Sequence, residues 1–490
     1  MTTPLQKSRS AMSPTLPDTP TPQEWKAHHG RFKNPVLVAT MCVAVTSGLQ
    51  GVDPSLHSVA MPAAAQALGM SPSTASFLKS LGTILLSASM LGVGSIGDRL
   101  GRRKGLLIGT TGMALGSLIT ALSMNAWTFA LGRAVTGIAT AMSFAMCLAF
   151  LPTLHQPRHL PKAFGMFFGT GATLIVCATA VSGTIQGLFG WRFTYLVVGA
   201  LCLIMTLVAA VVLPENRALQ VGKFDTPGVI LAAIGMVCLV YSIGRASVLG
   251  WSHPLVWGGL ILAAIILGVF ARWEMHTPTP AFPVELFKIP AFMAACLGGV
   301  LFNWADATLL GQYPALAIPH GVPAATVSVI VAVLYVGMII GALAAGAAQT
   351  RFGISNRGMF TSGLLLCGAG LALQMLLRDP HDIVLPLISM IVVGFAVMWM
   401  QNPQSAVIMG SAPQDKLGAV GAVKPAVGQF GFGLGFALAG PLAAIFMDGP
   451  ELTTHAYSMG LGLQALFFLF ATVLIYLLMR PRNADKAEVA

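Results

Sequence analysis

Five ionisable residues stand inside otherwise apolar stretches: Asp53, Lys79, Arg133, Asp306 and Lys424, with His57 one helical turn beyond Asp53. A charge at the centre of hydrocarbon costs about 2.5–3.5 kcal/mol on insertion scales. Each such residue therefore needs a cavity or a partner, and each is a functional candidate. A carboxylate and an imidazole at i, i+4 could pass a proton between them; the plain alternative for Asp53 is capping of a helix end before Pro54. Asp306, in Asn303-Trp304-Ala305-Asp306, is the deeper acid and the preferred protonatable residue. Lys79 and Lys424 either line a cavity or snorkel from helix ends. Gln401 and Asn402 beside Pro403 either contact a solute or mark a kink. Met142 and Met146, four apart, form an adaptable apolar wall or simply pack.

These side chains need elements that cross oil. Of 490 residues 56% are hydrophobic and 9% charged, with a mean hydropathy of +0.79. A soluble domain carries about 25% charge, so water cannot surround most of this chain. A helix needs about 20 apolar residues to cross about 30 Å of hydrocarbon, and such runs recur throughout. Outer-membrane strands would instead alternate over about ten residues, and no such alternation is present. Helices, which satisfy their own backbone groups, remain.

Apolar runs between polar breaks predict fourteen spans, near 34–52, 74–95, 105–124, 127–150, 164–187, 192–213, 226–245, 252–272, 291–312, 324–346, 357–378, 383–406, 419–446 and 456–479. Most of the 27 lysines and arginines fall in the tails and in the connections after even-numbered spans. The positive-inside rule then places both termini in the cytoplasm, as an even number of spans requires. Residues 1–33, rich in Pro, Thr and Ser without an apolar core, read as a disordered tail, not a signal peptide.

Other chemistries lack their parts. Net charge is +11, but its scatter over short loops argues against a nucleic-acid surface. The seven cysteines all fall in apolar runs without metal-ligand spacing, which predicts free thiols and no metal. Gly92-Val93-Gly94-Ser95-Ile96-Gly97 matches GxGxxG, yet it closes a membrane helix instead of following a strand; close helix contact suits it better. No P-loop, HExxH, Gly-x-Ser-x-Gly or paired-carboxylate constellation is present. An ATP-driven pump or a polytopic enzyme would have no machinery, and no catalytic residue or cofactor is expected.

The most specific motif is Gly94-Ser95-Ile96-Gly97-Asp98-Arg99-Leu100-Gly101-Arg102-Arg103. It resembles the signature loop of the major facilitator superfamily, in which Gly94, Asp98, Arg99, Gly101 and Arg102 would form a conformational gate. The resemblance implies that Asp98 meets the N-terminus of span 13 near Gly418, where the helix dipole favours an anion. A diluted copy, Gly346-Ala347-Ala348-Gln349-Thr350-Arg351-Phe352-Gly353, recurs eight spans later. Two six-helix halves separated by two extra helices would explain that interval.

Further residues make the chain similar to the fourteen-helix drug:proton antiporter family: Asp53 followed by Val59-Ala60-Met61-Pro62, Phe224-Asp225 opening span 7, Arg133 in Leu131-Gly132-Arg133, and Gln429-Phe430-Gly431 in span 13. Two departures stand out. Ala178-Thr179 and Ser182-Gly183 replace the family's Gly-Pro and Gly-Gly in span 5, and Lys424-Pro425 replaces a polar Asn-Thr.

The resemblance implies an all-α polytopic membrane protein of the major facilitator fold: an N-terminal half at 34–213, two inserted helices within 214–288, a C-terminal half at 289–479 and a tail at 480–490. It also implies an inner-membrane monomer among lipids, exporting amphiphilic small molecules by alternating access with the proton gradient as energy source. Arg133, with Asp53, His57 and Asp306, would serve proton coupling, or Arg133 would be a structural clamp. Lys79, Lys424, Trp304, Asn303, Gln401, Asn402, Met142 and Met146 would line the substrate cavity. Three cations against two acids make that cavity net positive when the acids are ionised, so neutral or anionic amphiphiles are expected. The alternatives are a proton symporter or uptake carrier, and a non-transporting sensor of the same fold.

Overall fold

The computed structural model describes residues 34–479 apart from 157–158, 215–224, 278–279, 281, 283, 411–416, 448 and 450, so both predicted tails lie outside it. The described residues form fourteen α-helices and no strand. They are α1 (Pro35–Ala67), α2 (Pro72–Leu100), α3 (Arg102–Ala121), α4 (Ala126–Leu154), α5 (Leu160–Phe189), α6 (Trp191–Val212), α7 (Thr226–Leu249), α8 (Pro254–His276), α9 (Pro290–Ala317), α10 (Ala324–Phe352), α11 (Asn356–Leu373), α12 (Val384–Gly410), α13 (Leu417–Ala444) and α14 (Thr454–Leu478). Twelve are long and apolar enough to cross a membrane. The other two, α2 and α3, are 29 and 20 residues long. At 1.5 Å per residue even the shorter reaches about 30 Å.

The first helix overturns one expectation. The run was expected to stop near residue 52, ahead of Asp53-Pro54, but α1 continues for 33 residues through Pro54 and Pro62. Proline removes one hydrogen bond and kinks a helix, and neighbouring hydroxyls re-satisfy such breaks inside membranes. In the turn around Pro54, Ser55 Oγ donates to the Gly51 carbonyl and Ser58 Oγ to that of Ser55, 2.7 and 2.8 Å away, although the carbonyl that Pro54 deprives of its N–H is that of Gln50. Asp53 consequently lies within the helix, not at its end.

The expected charged loop after span 2 is also mostly helix. Only Gly101 separates α2 from α3, at φ 93°, a left-handed geometry that glycine adopts without a Cβ penalty. Arg102 donates to the Ala149 carbonyl near the end of α4 at 2.9 Å, and Arg103 donates to the Ala210 carbonyl near the end of α6. Cations at helix C-termini are favoured by the macrodipole, so the two arginines staple three helix ends together.

Helices α1 to α6 pack mainly on one another, as do α9 to α14, and two seams join these groups: α2 with α13, and α5 with α10. The α7–α8 pair packs beside the first seam, with α7 touching both α2 and α13. Asp225 caps α7 by accepting from Gly228 N (3.1 Å) and also takes the Trp273 indole N–H at 2.8 Å, tying the start of α7 to α8.

The α5–α10 seam is tight where α5 ends and α10 begins. Gly183 lies so close to the Ala324 carbonyl that any Cβ there would collide. Ser328 Oγ donates to Ala180 O at 3.0 Å beside it. Nearer the start of α5, Gly165 and Gly169 have no atom within 4 Å of a notional Cβ, and Phe168 is exposed. The two helices therefore touch backbone to backbone at the end opposite the Gly101 turn.

Candidate functional site

Asp53 on α1 and Arg133 on α4 form a bidentate ion pair, Nη1–Oδ1 2.9 Å and Nη2–Oδ2 2.8 Å, with side chains 7% and 2% exposed. Guanidinium and carboxylate match as planar forks, which gives this contact both strength and direction. Gly82 of α2 backs onto the guanidinium at contact distance. The pair ties α1 to α4 through the core of the first helix group.

His57 takes no part in that pair. Its Nδ1 is 2.6 Å from the Tyr195 hydroxyl on α6, while Nε2 is buried without a hydrogen-bond partner. Phe129 packs edge-on against Tyr195 and close to His57. The i, i+4 sharing of a proton between Asp53 and His57 is therefore not the observed arrangement: Arg133 occupies both carboxylate oxygens, and the imidazole is drawn to Tyr195.

Asp306 is buried on α9 with Oδ1 lacking any partner. The Tyr335 hydroxyl meets Ser55 Oγ on α1 at 2.5 Å, a bond between the two helix groups and only two residues from Asp53. Ser55 and Tyr335 tie α1 to α10, and sequence reasoning passed over both hydroxyls. Tyrosine is scarce here, six in the chain, and a buried Tyr among apolar residues was the available signal.

Lys79 neither snorkels nor stands free. Its Nζ donates to the Gly311 carbonyl on α9 at 2.5 Å and sits 5.6 Å from the Phe436 ring of α13. Ser76 reaches the Phe436 and Ala437 carbonyls, and Ser87 reaches Ala426 O at 2.7 Å, so α2 is sewn along α13. Lys424 donates to Ser405 Oγ on α12 at 2.6 Å. Of the three buried cations, Arg133 is thus paired with Asp53, while Lys79 and Lys424 are held by a carbonyl and a hydroxyl.

The remaining cavity expectations divide. Trp304 points to α14, where its indole donates to Gln464 Oε1 at 2.8 Å and its ring lies tilted against Phe467 and edge-on to Phe468. Asn303 donates to Gly299 O of its own helix and faces Gly428 of α13. Asn402 is exposed and Gln401 half-buried, and α12 continues through Pro403. The buried amide there is Gln404, which reaches Ala295 O on α9 at 3.4 Å. Met142 and Met146 are ordinary members of a buried cluster. The gate expected at Gly94, Asp98 and Arg99 falls on the last turns of α2, where the side chains lie outside the described residues, as does its proposed partner at Gly418.

Comparison with known proteins adds the family. The Major Facilitator Superfamily model matches residues 43–423. The tetracenomycin C resistance and export protein of Streptomyces glaucescens is 25% identical over 413 residues, covering 84% of this chain and 76% of that protein. The multidrug efflux pump LfrA of Mycolicibacterium smegmatis is 26% identical, covering 84% and 81%. The puromycin resistance protein pur8 of Streptomyces alboniger is 26% identical over 92% of both chains. Among solved structures, a POT family transporter in complex with 5-aminolevulinic acid superposes with a TM-score of 0.66 at 13% identity, over 90% of this chain and 96% of that one, a likeness of fold. Fourteen helices, two sewn seams and a buried ion pair between the first and fourth helices thus belong to a member of the Major Facilitator Superfamily.

Proposed function

We propose that this chain is a secondary transporter that exports amphiphilic small molecules from the cell, driven by the proton gradient. The observation that carries the reading is the agreement of relatives named for drug resistance or export, matched over most of their length. The chain performs no catalysis and needs no cofactor. It works as a monomer in the inner membrane with both termini cytoplasmic.

The mechanism follows from the seams. Residues 34–213 and 289–479 act as two halves that rock about a central site, with α7 and α8 inserted between them. The end held by Lys79–Gly311, Ser55–Tyr335 and Ser328–Ala180 is the outer gate in its closed state; the opposite end is open to the cytoplasm. Opening outward must break these contacts, and protonation is the lever. A proton on Asp53 would loosen its hold on Arg133, and a proton on Asp306 would leave that buried carboxyl neutral. Each proton moved down about 100 mV supplies about 2.3 kcal/mol, enough to bias two states about fiftyfold.

Purified protein in liposomes with an imposed pH gradient tests this. Accumulation of an amphiphile against its gradient, with the proton moving the other way, is expected across a panel of neutral, anionic and cationic compounds. Flux that ignores the pH gradient would sink the coupling. A second reading, proton symport, has one observation in its favour: Ala178-Thr179 replaces the proline bend associated with antiport. Substrate and proton moving in the same direction would select it.

A further inference from the structure

A cavity of about 410 Å³ opens between α9, α13 and α14, lined among others by Trp304, Leu438, Leu442, Gln464, Leu466 and Phe467. Its rim faces lipid: Leu466 is 66% and Phe467 43% exposed. The wall behind is aromatic, with the Trp304 and Phe467 rings 5.0 Å apart and tilted by 35°. Behind this apolar lining lies one amide, that of Gln464, which is 1% exposed.

The orientation of that amide is determined by its neighbours. Gln464 Oε1 accepts from the Trp304 indole N–H at 2.8 Å and from Thr308 Oγ1 at 3.0 Å. An indole nitrogen can only donate, so the atom facing it must be the carbonyl oxygen, and the NH₂ group is the other end. That Nε2 is buried and has no hydrogen-bond partner. A buried donor left unmet is penalised, and a ligand bringing an acceptor removes the penalty.

Depth selects the ligand. Gln464 lies ten residues into α14, which runs Thr454–Leu478, so it stands about 15 Å below the helix start at 1.5 Å per residue. In a hydrocarbon layer of about 30 Å that is close to the midplane, well below the ester and headgroup oxygens of phospholipids. Only a molecule that dissolves in the bilayer interior brings an acceptor there.

We propose that this cavity is a lateral binding site for neutral lipophilic molecules bearing a carbonyl, such as flat ketones or quinones. They would slide in past Leu466, stack on Trp304 and Phe467, and present the carbonyl oxygen to Gln464 Nε2. Binding at this site is distinct from proton-coupled transport and is measured without any gradient.

The test uses full-length protein in lipid nanodiscs photolabelled with benzophenone, whose own ketone serves as the acceptor. Adducts should map to the peptides holding residues 438–442 and 463–467. A long dialkyl ketone should displace the label at about tenfold lower concentration than the alkane of equal length, the size of one satisfied buried donor. Gln464→Leu should erase that tenfold preference. Because it also deprives Trp304 of an acceptor, Leu442→Phe serves as a second variant, filling the cavity with the amide network intact; it should abolish labelling of both peptides. Equal displacement by ketone and alkane, labelling that persists in Leu442→Phe, or a ketone preference that survives Gln464→Leu would each overturn the proposal.

Discussion

Replacing Asp53 by Asn tests whether the α1–α4 pair is the structural core of the site. The wild-type contact is two charge-assisted bonds of 2.8 and 2.9 Å in a place where both side chains are almost wholly buried. Each such bond is worth about 1.5–3 kcal/mol. The larger consequence is the charge left behind: removing one partner of a buried pair costs about 3–5 kcal/mol, because the survivor is desolvated without compensation. Arg133 has no route to water at 2% exposure, so Asp53→Asn is expected near the upper end of that range. The double variant Asp53→Asn/Arg133→Gln removes both charges, and its loss should be far smaller than the sum of the two single losses. Unfolding of the purified protein in mixed micelles, followed by circular dichroism, measures all three. A loss below about 1 kcal/mol for Asp53→Asn, or strict additivity in the double variant, would refute the idea of a buried, mutually neutralising unit.

Three further perturbations probe the moving parts. Lys79→Met removes the bond to Gly311, about 1.5–3 kcal/mol for a charged donor. It should open the outer end, read as faster thiol labelling of a cysteine placed at Ser76; unchanged labelling would mean that Lys79 is not part of the gate. Gly183→Leu puts a side chain into the Ala324 backbone and should hold that end apart, giving a folded protein with flux below about a hundredth of wild type; normal flux would contradict the close approach. Asp306→Asn should abolish the response of flux to an imposed pH gradient, forfeiting a bias of about fiftyfold per 100 mV, while downhill exchange persists. A retained pH response would assign coupling elsewhere.

The helix count and most helix limits were readable in the chain, because a run of about twenty apolar residues has few other uses. The exceptions were α1, where Asp53-Pro54 looked like an end, and the charged stretch after residue 95, which is mostly helix. Asp53 is accommodated by Arg133, and nothing local announces a partner 80 residues away. The same blindness explains the site. Asp53, Arg133 and Asp306 could be picked out because charge in oil is costly, but which charges meet is decided by helix rotation. Lys79 was visible as an oddity; that it would be consumed by the Gly311 carbonyl was not. Trp304 and Asn303 are adjacent in sequence, so they leave α9 about 100° apart; only one of them could face inward. Ser55, Tyr335 and Gln464 carry no charge and so raised no flag.

The α7–α8 pair, pressed against α2 and α13, breaks the symmetry of the molecule. Of its two flanks, one is walled by an extra layer of protein tied down by Asp225 and Trp273, and the other, along α5 and α10, is bare to the bilayer. A hydrophobic solute travelling within the membrane therefore meets different walls on the two flanks. Bulky substituents placed on Gly165 or Gly169 should exclude membrane-dissolved compounds while sparing those that arrive from water.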